Sequence, residues 1–290
     1  MPPLPQRIVV LVHGREVGPE RCAYQIWGLA DVWRRWGIDV VVSHGIERAV
    51  DADVVVNHID LTVVPDDYRR FMARYPVAVN GRCVDISKRT VSTNLVTRDD
   101  GWTGPVIVKT DRNHGGRPER RLRWGRVALA LSPDAWWGRA RWRSRVMLPP
   151  GDYPIFDSIA SVPSGVWRNP ALVVERFLPE REGDLFALRS LSIFGDRSVA
   201  SRRLSASPIV KAVGVVRSEP VDPAPEALEA AQRLGLDRGK IDYVVHDGRV
   251  EILDVNRTNT MATYSAADRA RICERLAEGL QAFWPPRPPA

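Results

Sequence analysis

KIDYVVHDGRVEILDVN, residues 240–256, reads as a β-hairpin that carries its own oxygen ligands. Apolar-rich runs at 240–246 and 249–255 flank Asp247-Gly248, a pair that favours a two-residue hairpin turn because both residues tolerate positive φ. Side chains alternate along a strand, so Asp254 and Asn256 share a face, and pairing about the turn brings Asp242 alongside them. Three hard oxygen donors converging from two strands suit magnesium, with manganese as the alternative, and leave positions for phosphate oxygens. The plainer alternative is that Asp242 caps a turn while Asp254 and Asn256 merely end a strand.

Upstream, residues 105–110 form an apolar strand containing Lys109 that runs at once into a Gly-rich loop, Asp111-Arg112-Asn113-His114-Gly115-Gly116. An ammonium at the end of such a strand needs an anionic partner, and paired glycines let backbone amides approach phosphate closely. At 173–178, apolar residues surround the charged pair Glu175-Arg176, the makings of a clamp for a flat aromatic ring. Strands are predicted at 171–178, 185–194 and from Ser198 onward. A short helix is predicted at 88–96, an amphipathic one at 224–234 and a closing one at 266–283.

The first 85 residues have a different pattern. A continuous apolar run at 7–13 is followed by a helical repeat at 19–36 that places Trp27 and Trp33 in the core. Strand-like runs at 39–43, 53–57 and 77–80, with a helix at 66–75, complete a small α/β sheet domain. Its first turn, His13-Gly14-Arg15-Glu16-Val17-Gly18, lacks the G-x-G-x-x-G pattern, which argues against NAD.

The composition is that of a globular protein, with 44% hydrophobic and 27% charged residues over 290 positions. No apolar run approaches the roughly 20 residues of a membrane span, and the amino end shows no secretory pattern. Cys22, Cys83 and Cys273 are widely spaced and odd in number, so reduced thiols and a cytoplasmic location are expected. Of 42 basic residues only four are lysine: Lys88, Lys109, Lys211 and Lys240. Against so strong an arginine bias, a retained lysine marks a place that needs a compact ammonium, and Lys88 and Lys109 fall inside motifs. Residues 117–145 interleave arginines with Trp124, Trp136, Trp137 and Trp142, a pattern that suits single-stranded nucleic acid. Because arginine is enriched throughout, a packed insertion is the favoured reading and nucleic acid the disfavoured partner.

In order along the chain, these motifs resemble the ATP-grasp superfamily, which includes D-alanine–D-alanine ligase, glutathione synthetase and the ribosomal-protein glutamate ligase. The resemblance implies an ATP-grasp fold of the α/β class (α+β within the grasp domains). Residues 1–85 would form a pre-ATP-grasp α/β domain, 86–174 a central lid subdomain, and 175–290 a carboxy-terminal subdomain with the metal site. It further implies ATP with magnesium. Lys88 and Lys109 would be the phosphate lysines, Gly115 and Gly116 the flexible loop, and Glu175, Arg176, Phe177 and Leu178 the adenine hinge, with Asp184 near the ribose. Arg189 resembles the family's arginine on the next strand. A further basic residue facing the phosphates is Arg202 or Arg203, which spacing does not separate; Lys109, Arg189 and Arg203 are taken as the catalytic set. Asp242, Asp254 and Asn256 resemble the metal motif.

Two departures stand out: Asp254 replaces the family's usual Glu, and Arg257-Thr258-Asn259-Thr260 replaces a Pro-Gly loop that places the acceptor. The implied chemistry is activation of a small-molecule or peptide carboxylate as an acylphosphate, then attack by an amine or other nucleophilic acceptor, with no membrane partner and a homodimer left open. A non-catalytic nucleotide- or nucleic-acid-binding protein and a kinase-like phosphotransferase are the alternatives.

Overall fold

The computed structural model describes residues 3–16, 18–19, 22–122, 141–148 and 153–285. The amino-terminal apolar run becomes β1 (Arg7–Val12), flanked by β2 (Asp39–His44) and β3 (Val54–Asn57), with β4 (Val77–Val79) beyond β3; all pair in parallel. The order β2-β1-β3-β4 buries β1 on both faces, which is why Ile8 to Val12 are apolar without alternation. Ile8, Val10 and Val12 join one core with Ile26, Leu29 and Trp33 of α1 (Gln25–Arg35). Val9 and Leu11 join another with Phe71 and Met72 of α2 (Asp66–Met72).

A second, three-stranded sheet has the antiparallel order β6-β5-β7, from β5 (Val106–Thr110), β6 (Ile155–Phe156) and β7 (Leu172–Arg176). Val106, Val108, Leu172 and Val174 pack there with Val166 of the one-turn α4 (Ser164–Trp167). The expected division between 174 and 175 falls inside β7. One-turn α3 (Lys88–Val91) leads into this region and stops at Ser92, where the backbone turns extended, well short of the 88–96 expected.

The third sheet is antiparallel, in the order β11-β10-β9-β12-β13, with β8 also on β9. Its strands are β8 (Glu180–Glu182), β9 (Leu185–Phe194), β10 (Arg197–Ser205), β11 (Val215–Val221), β12 (Arg238–His246) and β13 (Arg249–Asn256). β11 was not anticipated: its largely exposed Val-Val-Arg-Ser-Glu-Pro-Val has no apolar pattern and contains a proline, both tolerated on the edge strand it forms. Leu191, Ile193, Ala200, Ile241 and Tyr243 face α5 (Pro225–Leu234), which offers Ala227, Ala230 and Ala231 and ends at left-handed Gly235. The opposite face is polar and open. The β12–β13 turn has Asp247 at φ 49° and Gly248 at φ 75°, as the sequence required.

The closing helix is shorter than expected: α6 (Ala266–Ala277) continues only as a 3₁₀ segment to Ala282. It lies against β9 and β10 of the third sheet and completes the first core through Ile272, Cys273 and Leu276, together with Phe194 of β9. Trp33 Nε1 of α1 donates to the Ala277 carbonyl at 3.2 Å. Among the described residues, no helix is long and apolar enough to cross a membrane.

Candidate functional site

The hairpin does not pair as a simple two-residue turn would dictate. From His246↔Arg249 the register runs regularly to Tyr243↔Ile252, then shifts by one residue so that Asp242 lies directly opposite Asp254. Without that bulge Asp242 would face Leu253, and Asp254 would point to the α5 side. The bulge turns Asp254, and Asn256 after it, to the open face where Asp242 already lies.

There they line a cavity of about 270 Å³ between the second and third sheets. Lys88, on the first turn of α3, places Nζ 3.2 Å from Asp254 Oδ1 with its side chain only 5% exposed. Burial alone would push this ammonium down, but the Asp254 carboxylate, together with Tyr153 and Glu175, more than reverses it and holds it above the ordinary lysine value. The Lys88 amide is anchored to the Asp111 carbonyl at 2.9 Å, tying α3 to the loop after β5. Lys109 Nζ is 2.6 Å from Glu175 Oε2 on the neighbouring β7, and the Glu175 side chain is fully buried. Asp242 is gripped from three directions: Lys240 Nζ at 2.6 Å, the Ser190 hydroxyl, and Arg203 Nη2 at 3.6 Å. Burial pushes its carboxyl up, while Lys240 and Arg203 more than reverse that and hold it below the usual carboxylate range. Asn256 Oδ1 accepts from the Thr258 amide at 2.8 Å, and the Thr258 hydroxyl donates to Asp60 Oδ1 at 2.7 Å.

No protein-family model and no curated protein matches the chain. Solved structures match along almost its whole length. The ATP-grasp ligase PsnB complexed with minimal precursor is similar over 96% of this chain and 99% of that one, at 15% identity and a TM-score of 0.55. PsnB with minimal precursor, Mg and ADP covers 94% and 96%, at 14% identity and a TM-score of 0.53. A RimK-domain ATP-grasp protein from Sphaerobacter thermophilus covers 94% and 99%, at 13% identity and a TM-score of 0.50.

The chain has the ATP-grasp fold. Placed on it, the residues singled out by sequence divide into two groups. Lys88, Lys109, Arg176, Phe177, Leu178, Arg203, Asp242, Asp254 and Asn256 line the one cavity. Glu175 does not; its carboxylate turns back to Lys109. Gly115 and Gly116 are buried behind the wall, at φ 67° and 76°, while Asn113 and His114 of the same loop reach the cavity. His114 is itself left-handed, at φ 47°, so three successive residues need a conformation that favours glycine. Asp184 sits exposed in the β8–β9 turn, outside the lining.

Arg189 requires a correction. On β9 it shares the α5 face with Leu191 and Ile193, opposite Ser190, and forms a bidentate pair with Glu180 at 3.0 Å instead of reaching the cavity. Arg202 joins it there, 2.7 Å from Glu180, leaving Arg203 as the arginine of β10 on the open face. Burial pushes Glu180 up, but these arginines hold it below its ordinary value.

Two residues were missed: Lys211, on the β10–β11 loop, and Lys240. All four lysines of the chain line this cavity. The scarcity of lysine was the signal, and it applied to every one of them. In the Arg/Trp-rich segment, 123–140 lie outside the described residues; Arg121 pairs with Glu16 and Asp60 at 3.2 Å, and Arg145 stacks 3.9 Å from the Trp142 ring centre.

Proposed function

We propose that the protein is an ATP- and magnesium-dependent ligase that activates a carboxylate as an acylphosphate for attack by an amine or another nucleophile. The observation that carries this reading is the gathering of four ammonium groups and Arg203 around the facing pair Asp242 and Asp254 in one cavity. Three carboxylates, Asp242, Asp254 and Glu175, pair with four of these five cations and leave an excess of positive charge, which a nucleotide triphosphate would neutralise. Among the described residues no group of three or more His, Cys, Asp and Glu stands ready to hold a metal alone. Two carboxylates and the Asn256 amide suit a hard cation that completes its shell with phosphate oxygens and water, magnesium or manganese. When bound, that ion supplies charge neutralisation at the phosphates.

The residues of the chain do the rest by position and charge. Lys88 and Lys109 approach the phosphates from the second-sheet side, and Arg203, Lys211 and Lys240 from the third. Backbone groups of 176–178 would bond the edge of the adenine, with apolar side chains of the same stretch against its face. The substrate carboxylate oxygen attacks the γ-phosphorus as the bond to the β,γ-bridging oxygen breaks and ADP leaves. The acceptor then attacks the acyl carbon, gives its proton to solvent and expels inorganic phosphate. A pre-ATP-grasp domain, a lid and a metal-bearing subdomain are the matching division of labour for residues 1–85, 86–174 and 175–290.

Magnesium-dependent ATP binding to the purified chain, followed by phosphate release on addition of candidate acids and amines, tests the reading. Asp254→Asn is expected to lose magnesium-dependent binding. A parent protein that ignores MgATP overturns the proposal; a stable phosphorylated product with no acceptor would make it a phosphotransferase.

A further inference from the structure

Asn256 Oδ1 is the atom that the Asn256 amide would offer a cation, and it has two hydrogen-bond donors close by. The Thr258 amide donates to it at 2.8 Å, and the Thr258 hydroxyl stands 3.3 Å away. A backbone N–H can only donate, so the atom facing it is the Asn256 oxygen and not its nitrogen. That oxygen has two lone pairs, and the Thr258 amide occupies one. If the hydroxyl proton took the other, none would remain for a cation. Asp60, on the loop after β3, prevents this: its Oδ1 accepts from the Thr258 hydroxyl at 2.7 Å. A hydroxyl has one proton to give, and a carboxylate at 2.7 Å holds it against an amide oxygen at 3.3 Å.

The other oxygen of Asp60 is held as firmly. Oδ2 accepts from the Tyr24 hydroxyl at 3.1 Å and from Arg121 Nη2 at 3.2 Å, with the Asp60 side chain largely buried. Arg121 belongs to the segment that follows the Gly-rich loop, and that segment is fastened to the same amino-terminal loops. Glu119 Oε1 accepts from the Thr62 amide at 2.9 Å and from the Thr62 hydroxyl at 2.5 Å, while the Thr62 hydroxyl oxygen accepts from the Asn113 amide at 2.9 Å. Arg121 also reaches Glu16, after β1, at 3.2 Å. One carboxylate thus serves both the seat of the Gly-rich loop and the oxygen set on β13.

We propose that Asp60 is a positioning residue for the metal site: by holding the Thr258 proton it keeps a lone pair of Asn256 Oδ1 open to the cation. Through Arg121 it ties that opening to the seating of the segment after the Gly-rich loop. Asp60 does not line the cavity, so it acts only through Thr258 and Arg121. The role rests on the reading of Asn256 as a ligand of the nucleotide-bound cation. A plain fastening of one loop to another, with no effect on the Asn256 lone pair, is the competing account, and the two differ in what removal of the hydroxyl does.

The test is Mn2+ binding to the full chain in the presence of ADP, followed by electron paramagnetic resonance of the free ion. Calorimetry with metal-free ADP shows that each variant is folded. Asp60→Leu keeps the volume but offers no acceptor, so the Thr258 hydroxyl turns to Asn256. It is expected to weaken Mn2+ binding by about three- to tenfold, the worth of one competing hydrogen bond. Thr258→Val keeps the backbone amide and has no proton to misdirect, so it is expected to weaken binding less. The double variant Asp60→Leu/Thr258→Val is expected to regain the affinity of Thr258→Val alone. A plain fastening role predicts no such recovery, because both changes cut the same tie. Arg121→Met leaves Asp60 in place with one partner fewer and covers the case in which Asp60→Leu does not fold: Mn2+ affinity falls, and Thr258→Val restores it. Undiminished Mn2+ binding in Asp60→Leu and Arg121→Met, or double variants that recover nothing, overturns the proposal. If the parent binds no Mn2+ with ADP, the ligase reading falls and this role with it. If the parent binds, Asp254→Asn does not, and the Asp60 and Arg121 variants match the parent, the ligase reading stands and only the role of Asp60 falls.

Discussion

Lys109 and Glu175 illustrate how a residue's environment changes what its removal means. From sequence, Lys109→Ala is expected to abolish turnover and leave the fold intact. In the structure the Lys109 ammonium neutralises a carboxylate with no exposed surface, at 2.6 Å. Taking away one partner of a buried pair strands the other, at a cost of about 3–5 kcal/mol. Lys109→Met should therefore lower stability by that order in chemical denaturation, and the double variant Lys109→Met/Glu175→Leu should recover most of it without recovering nucleotide turnover. A single variant as stable as the parent would show that the pair is not sealed from water. Lys88 offers the complementary measurement, because a chain with four lysines has few enough ammonium groups to resolve by NMR. Asp254 holds Lys88 above the ordinary lysine value against a burial effect of opposite sign. In Asp254→Asn burial is opposed only by Glu175 and Tyr153, so the Lys88 titration should move down from its value in the parent. Its folded-state stabilisation, present at neutral pH and lost in the parent only as pH rises through the raised value, should be smaller in the variant.

At the scale of elements, the contacts that position the site include some with no side chain at all. Gly195, after β9, and Gly279, after α6, let two backbones approach so closely that a Cβ on Gly279 would lie 1.8 Å from the Phe194 carbonyl oxygen. Gly279→Ala must push α6 away from β9 and should cost about 1–3 kcal/mol, read as a lowered thermal midpoint; an unchanged midpoint would mean that the two segments do not touch. Neither glycine carries a signal of this in the sequence, because their partners are distant in the chain. The same limit separates what could be read from what could not. The Asp247-Gly248 turn, the buried run of β1 and the alanine face of α5 depend on local conformation and periodicity, and they were legible. The bulge that brings Asp254 opposite Asp242 was not: a regular hairpin of this sequence would put the two carboxylates on opposite faces, so the expectation that pairing about the turn aligns them named residues that an irregularity brings together. Arg189 was misplaced although strand alternation was available, since Leu191 and Ile193 belong to the buried face and an arginine two positions earlier shares it. Edge strand β11 and the docking of α6 on α1 depend on which surfaces remain uncovered, a property of the assembled chain.

Across the whole molecule, the first and third sheets meet through buried polar groups, with consequences for how the protein responds to acid. Asn80, left-handed at φ 60°, donates from Nδ2 to the Arg238 carbonyl at 2.7 Å and accepts the Arg238 amide at 2.9 Å. The Arg238 guanidinium is fully buried and donates to the Arg257 carbonyl at 2.7 Å, while Arg257 donates to the Cys83 carbonyl at 2.8 Å. His58, at the end of β3, completes this junction: fully buried between Tyr24 and Trp27, with Nδ1 3.5 Å from Arg238 Nη1. Burial, reinforced by the Arg238 charge, pushes the His58 imidazole well below its ordinary value of 6.5. The unfolded chain therefore takes up a proton as pH falls through about 6.5 while the folded chain does not, so stability rises with pH in that window and is lost below it. The His58 share of the slope approaches about 1.4 kcal/mol per pH unit once the unfolded imidazole is protonated. Thermal midpoints measured from pH 7 down to about 5, above the carboxylate range, should fall more steeply in the parent than in His58→Gln, whatever the absolute stability of the variant. Parallel curves would mean that His58 gains a proton in the folded state. In that case the imidazole must find an acceptor near Arg238, and the junction between the sheets would be wetter than its packing implies.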